Sequence, residues 1–361
     1  MGFDVLAFEY GLYECNKAWQ LMISGRSAYE ATRIGLSRIW RDSQQCHPLI
    51  DYFDAAIQMQ QPLQIAGFDV LKPNCPASSQ YLLSDLTEIV QQVNPELLQC
   101  TEVQDFIEIL RRFINGSYQD RRIGLPSEEI QAKFLKTVDF LIDLVSHPST
   151  LSTQTKLLWI QILKNIKTAI HLIWVEITYG GKRNMPVEYQ GLRDRQMGKN
   201  LIWLTKQYFP NRKIIGWAAT IHNARNLPQI DTQFPGLQEH YSKSVVMGDH
   251  VWSALGTKMY SLGFTAYEGS CGGRGYLNTE YNQVRKIPPA SSGSLEDLMV
   301  QAKLENALID FRYPLDGSDW LREKIMARPL GQIEMIADWG TILDGLVFTR
   351  YMVPSDGLVS P

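Results

Sequence analysis

Apolar residues are distributed along the chain in two different rhythms. Residues 5–8, Val-Leu-Ala-Phe, form a continuous apolar run of strand length between Gly2 and Gly11, and 63–70 form another that ends in Gly67-Phe68-Asp69-Val70. Between them, 12–24 and 27–41 carry helical spacing, the second with Ala31, Ile34, Leu36 and Trp40 after Ser27, so the chain is predicted to open as β-helix-helix-β. From 76 to 180 the alternation gives way to long periodic segments. Helices are predicted at 81–93, 101–114, 127–147 and 152–178, the last with Leu157, Ile160, Leu163, Ile166 and Ile170 along one stripe. The polar stretch 115–128, containing Gly116, Gly124 and Pro126, reads as a mobile connection. Alternation then returns, with a helix at 191–208, a strand at 213–218, a helix at 248–257 and strands at 258–266, 306–311 and 345–348.

The pattern predicts an α/β fold, with a mostly parallel central sheet, flanking helices and a substantial helical insertion. The expected divisions are an N-terminal part of the α/β core at 1–75, a helical layer at 76–190 and the C-terminal part of the core at 191–361. A chain of 361 residues, 45% of them hydrophobic, has ample material for one large or two unequal cores. Lys and Arg number 35 against 38 Asp and Glu, a balance that argues against a nucleic-acid surface. The five cysteines are scattered without a close pair, which fits a reducing, cytoplasmic setting and no metal clip. No apolar stretch is long enough to span a membrane, so none is expected as a partner, and no protein partner can be named.

Three polar residues stand where chemistry is expected. Glu9 follows the first apolar run, at the carboxyl end of its strand, where ligands bind in open α/β sheets. It could serve as a general base or acid if partly desolvated, or it could cap a helix or bind an arginine. Arg193 shares one helix face with Met197, Asn200 and Leu204. A guanidinium on such a face either ties helix to sheet through a carboxylate, or holds a ligand carboxylate or developing oxyanion. His222 lies in a polar turn after the strand at 213–218, with Asn223 and Arg225 as a polar rim; it is either a hydrogen-bonded loop residue or a proton-transfer group. His250, in Met247-Gly248-Asp249-His250, starts a helix and is a further pocket candidate, whereas His171 reads as structural. The histidines show no metal spacing, and no G-x-S-x-G, P-loop or G-x-G-x-x-G element is present. The glycine-rich stretch 269–275 reads as a pocket rim, and Cys271 within it has no base fixed beside it.

In order and spacing, several blocks together resemble the erythromycin esterase family, which includes succinoglycan-biosynthesis-like homologues. They are Gly2-Phe3 through Glu9, Gly11-Leu12-Tyr13-Glu14-Cys15, Ile39-Trp40, Gly67-Phe68-Asp69, Arg193-Asp194-x-x-Met197-x-x-Asn200, Trp217-Ala218 through His222-x-Ala224-Arg225, Met247-Gly248-x-His250, Leu255-Gly256 and Gly263-Phe264-Thr265. The resemblance implies metal-independent hydrolysis, without a cofactor, of a small-molecule ester or lactone such as a macrolide ring. It implies catalytic roles for Glu9, Arg193 and His222, and places Asn200, Trp217 and His250 around the substrate. Two departures accompany it: Ala219 stands where the family carries the first histidine of the strand-turn, and a G-E-x-x-H histidine segment that would precede the first residue is absent. Alanine cannot accept a proton from water, so the alternative is a catalytically impaired member that binds or scaffolds. Loss of the family's opening strand predicts an exposed sheet edge beside residues 5–8.

Overall fold

The apolar run that opens the chain forms β1 (Val5–Gly11), with Val5 to Phe8 buried. The computed structural model describes residues 2–59, 62–119, 124–181, 184–274, 283–313 and 316–357. After β1 come α1 (Leu12–Ile23) and α2 (Ala28–Gly35), the latter started by a capping box in which Ser27 and Glu30 satisfy each other's backbone N–H groups. The helix predicted over 27–41 breaks at Leu36, whose backbone is extended, and resumes as α3 (Arg38–Arg41). An unforeseen helix, α4 (His47–Ala56), precedes β2 (Gln64–Asp69) and buries Ile50, Phe53 and Ala56 at threefold spacing.

The periodic region folds as foreseen into α5 (Leu83–Val93), α6 (Thr101–Ile114), α7 (Glu128–Ser146) and the 26-residue α8 (Thr153–Thr178). Phe134 joins three of them, stacking on Phe106 and meeting Trp174 edge-on, both at 5.3 Å. Part of the connection expected at 115–128 lies outside the described residues. A short α9 (Val187–Gln190) and α10 (Leu192–Trp203) follow, and α10 widens into a π-turn at Leu204–Tyr208 before β3 (Ile214–Trp217).

The remainder runs through α11 (Thr220–Asn223), α12 (Pro235–Lys243), α13 (Met247–Leu255), β4 (Leu262–Cys271), β5 (Gly273–Arg274), β6 (Arg285–Ile287), α14 (Leu295–Gln301) and β7 (Asn306–Asp310). It ends with β8 (Ile325–Ala327), β9 (Met335–Ala337), α15 (Trp339–Ile342), β10 (Gly345–Met352) and β11 (Ser355–Asp356).

These elements give an α/β architecture in which helices flank sheet strands and the α7–α8 and α12–α13 blocks are large helical additions. The chain divides into two compact units, residues 1–37 with 49–217, and residues 38–48 with 218–361. In the first, β1 lies between β2 and β3 in a parallel three-stranded sheet, with Phe8 opposite Gly67 on one side and Trp217 on the other. The open edge expected beside residues 5–8 is therefore absent: both sides of β1 are hydrogen-bonded, and β2 and β3 are the outer strands. In the second unit the order is β6-β4-β10-β7, with β4 and β10 parallel and the flanking strands antiparallel. Trp339, Leu346, Ile342, Leu343, Leu295 and Ala327 form its core.

Candidate functional site

In the first unit, β1 and β2 end on the same side because they are parallel, and each ends in a carboxylate: Glu9 near the end of β1 and Asp69 as the last residue of β2. The helix α10 delivers Arg193 to both. Its Nη2 donates to Glu9 Oε1 at 2.7 Å and to Asp69 Oδ2 at 2.6 Å, and its Nε donates to Asp69 Oδ1 at 3.0 Å. Lys72 Nζ also donates to Asp69. Burial alone would push the fully covered Asp69 carboxyl up, but Lys72 and Arg193 outweigh it and hold the group well below the usual carboxylate range. Burial likewise opposes the charge on Arg193, and Asp69 and Glu9 more than restore it. Arg193 thus forms the carboxylate pairing that was one of the two readings of its helix face, with 28% of its side chain still exposed, while Glu9 is 16% exposed and Asp69 fully covered.

A third carboxylate supports this cluster from within. Glu14, in the first turn of α1, is fully buried; its Oε1 accepts from the Lys72 N–H at 2.7 Å and from Ser78 Oγ at 2.6 Å. Its Oε2 lies against Gly11, where any Cβ would overlap it, and has no hydrogen-bond partner among the described residues. Burial pushes its pKa up to about 7, against the downward pull of Ser78 and of the Lys72 N–H. Glu14 therefore fixes the backbone at Lys72, Lys72 and Arg193 grip Asp69, and Asp69 orients the guanidinium toward Glu9. Sequence reading assigned no role to Asp69, Lys72 or Glu14. A signal for Asp69 was present: it closes an apolar strand just as Glu9 does.

Asn200, about two helical turns beyond Arg193 on α10, is completely buried. Its amide donates to the Phe68 carbonyl at 2.8 Å and to Asn165 Oδ1 at 2.7 Å, and its Oδ1 accepts from Gln161, Asn165 and Gln196. It ties α10 to α8 and to the strand that carries Asp69. Trp217 ends β3, 41% exposed, with its ring stacked on Phe8 at 5.9 Å.

The second unit holds the two histidines. His222 is half-buried in α11, which gives the expected polar turn the form of a single helical turn, and Ala219 is the residue that precedes it. His250 is half-buried near the start of α13. The two helices pack closely: a Cβ on Gly248 of α13 would collide with the carbonyl oxygens of Ala224 and Asn223 at the end of α11. Arg225 corrects an expectation. It is not a polar rim but is 6% exposed, paired with Asp344 at 2.8 Å and lying over the Trp252 ring at 4.2 Å. The glycine-rich stretch is likewise more ordered than a rim loop: Gly269 to Cys271 extend β4 and Gly273 begins β5, while Gly275 lies outside the described residues. Among the described residues, no group of three His, Cys, Asp or Glu side chains is placed to hold a metal ion. No described helix is long and apolar enough to cross a membrane.

The Bacillus subtilis (strain 168) protein YbfO, whose name provisionally makes it a hydrolase, is 22% identical over 367 residues, spanning 98% of this chain and 78% of YbfO. Two solved structures share the fold. A succinoglycan biosynthesis protein superimposes with a TM-score of 0.71 at 16% identity, over 99% of this chain and 82% of that one. An erythromycin esterase mutant in an open conformation superimposes with a TM-score of 0.68 at 15% identity, over 99% and 85%. The family model for erythromycin esterase matches residues 1–342, and the chain belongs to that family.

Proposed function

We propose that the protein is a hydrolase of a carboxylic ester or lactone, a macrolide-type ring among the substrates to be considered, and that water attacks the carbonyl directly. The observation that carries this reading is the Arg193 guanidinium held by buried Asp69 beside the partly exposed Glu9, at the carboxyl ends of two parallel strands. In the reaction, the water oxygen bonds to the carbonyl carbon and its proton passes to Glu9, or alternatively to His222. Arg193 meets the charge on the tetrahedral oxyanion, and collapse expels the alkoxide, which takes the proton back. Asp69, itself held by Lys72, keeps the guanidinium oriented and, with Glu9, charged, so little reorganisation is required as the oxyanion forms. Trp217 and His250 are the residues proposed to contact the substrate; Asn200 acts through its hold on β2 and α10.

A second reading rests on Ala219. A family member without that histidine lacks one proton acceptor, a loss worth roughly 10² to 10⁴ in rate, and could retain a pocket that only binds. The test incubates the protein and its Ala219→His variant with macrolides and simple lactones and follows the gain of one water by mass spectrometry. Turnover by the natural chain that falls in Glu9→Gln supports the hydrolase. Unchanged turnover in Glu9→Gln removes Glu9 from the mechanism and turns attention to His222→Asn. Activity only after Ala219→His means that the site persists without its base, and silence from both favours the binding role.

A further inference from the structure

Within the first unit, α1, α5 and the start of α8 enclose a cleft of about 390 Å³. That volume is in the range of pockets that take small molecules. Glu9, Asp69 and Arg193 do not line it, so it is separate from the cluster at the strand ends. Helix stripes that face one another only to pack are apolar. Here the stripe on α1 carries Asn16, Lys17 and Gln20, and that on α5 carries Asp85, Glu88 and Gln92. The floor differs: Trp159, Leu158 and Ile89 line it and are almost fully buried.

Charge inside the cleft is largely neutralised. Lys17 donates to both Asp85 oxygens, at 3.1 and 2.8 Å, and its ammonium lies 4.7 Å from the Tyr81 ring. The Tyr13 hydroxyl donates to Asp85 Oδ2 at 2.8 Å, and burial together with that carboxylate keeps the phenol protonated. Glu88, which accepts from Gln92 at 3.1 Å, leaves the mouth mildly acidic. An anionic ligand meets repulsion there, and a wholly apolar one would leave amides and carboxylates without partners. An uncharged ring with apolar C–H faces and several hydroxyls satisfies both the floor and the walls.

We propose that this cleft is a binding site for a neutral mono- or disaccharide, its C–H face on the Trp159, Leu158 and Ile89 floor and its hydroxyls paired with the side chains of α1 and α5. The site is independent of the hydrolase reading, and the experiment reads binding alone. Maltose and glucose are titrated into the full chain and followed by tryptophan fluorescence and calorimetry, with glucose 6-phosphate and butylamine as charged comparators. Gln20→Ala and Gln92→Ala remove exposed rim amides, and Thr155→Trp fills the cleft; unchanged melting temperatures confirm that each variant folds. Saturable millimolar binding of the neutral sugars is expected, weakened about tenfold by the filled variant and less by each rim variant. Absence of saturable sugar binding, equal binding by Thr155→Trp, equal or tighter binding of glucose 6-phosphate, or binding of butylamine alone overturns the proposal.

Discussion

Glu14→Gln isolates the energetic cost of a buried carboxylate. In the folded chain Glu14 is fully covered, with one oxygen satisfied by Lys72 and Ser78 and the other pressed against Gly11 with no partner among the described residues. Its pKa rises from 4.5 to about 7. The folded state therefore holds this proton more tightly than the unfolded state does. The associated stability is fully present below the unfolded value and is lost as pH rises through the folded one. At about 1.4 kcal/mol per pH unit, the rise corresponds to a loss of about 3 kcal/mol between mildly acidic and mildly alkaline solution.

The glutamine variant cannot titrate, so its stability relative to the parent should climb by about 3 kcal/mol between pH 4.5 and 8, whatever constant offset the new amide introduces. Glu296, raised by burial, and His171, lowered by burial and by Lys167, titrate in both proteins and cancel in the difference. Asp69 stays ionised throughout the window because its pKa is lowered. Urea unfolding at several pH values, followed by tryptophan fluorescence, gives the stabilities; hydrogen exchange at β1 amides identifies the transition of the first unit. A stability difference that is flat with pH would refute the reasoning, because it would mean that Glu14 is ionised in the folded chain at no special cost.

Three further perturbations test the cluster and its supports. Arg193→Met leaves Asp69 buried with Lys72 as its remaining cation, and should cost about 3 to 5 kcal/mol in urea unfolding; a cost under about 1 kcal/mol would show that Lys72 alone suffices. Asn200→Ala strands polar groups on Gln161, Asn165 and Phe68, and is expected to cost about 3 kcal/mol by the same measurement, with a near-neutral result counting against the network. Gly248→Ala drives a methyl into the Ala224 carbonyl and should cost about 1 to 3 kcal/mol, seen as a lower Tm of the second unit; an unchanged Tm would mean that α13 moves aside freely.

What the sequence revealed depended on whether the controlling contacts were local. The strands β1 and β2 were legible because both are short apolar runs, and α6 to α8 because each repeats a buried stripe over three turns or more. The helix α12 was not, because Tyr241 is the buried residue it offers to a periodic reading, and Pro235 and Gly236 at its start resemble loop punctuation. The site divides in the same way. That Arg193 needs either a carboxylate of the chain or a ligand follows from its helix face, but choosing Asp69, 124 residues away in sequence, requires the parallel register that sets β2 beside β1.

Arg225 makes the limit plainest. Its neighbours Asn223 and Asn226 are polar, and local composition describes a solvated rim. Its partner Asp344 lies 119 residues away, and its stacking partner Trp252 belongs to another helix. Burial of a charge is decided by residues that local pattern cannot bring together. The same motif therefore contains two structurally distinct positions: Arg225, which fastens the end of α11 to the core of the second unit, and His222, three residues earlier, which remains half-exposed on that fastened turn. Rigid anchoring of the backbone at Arg225 limits how far the adjoining turn can move, and the proposed role of His222 in proton transfer would gain from that restraint even though the anchor itself touches no substrate.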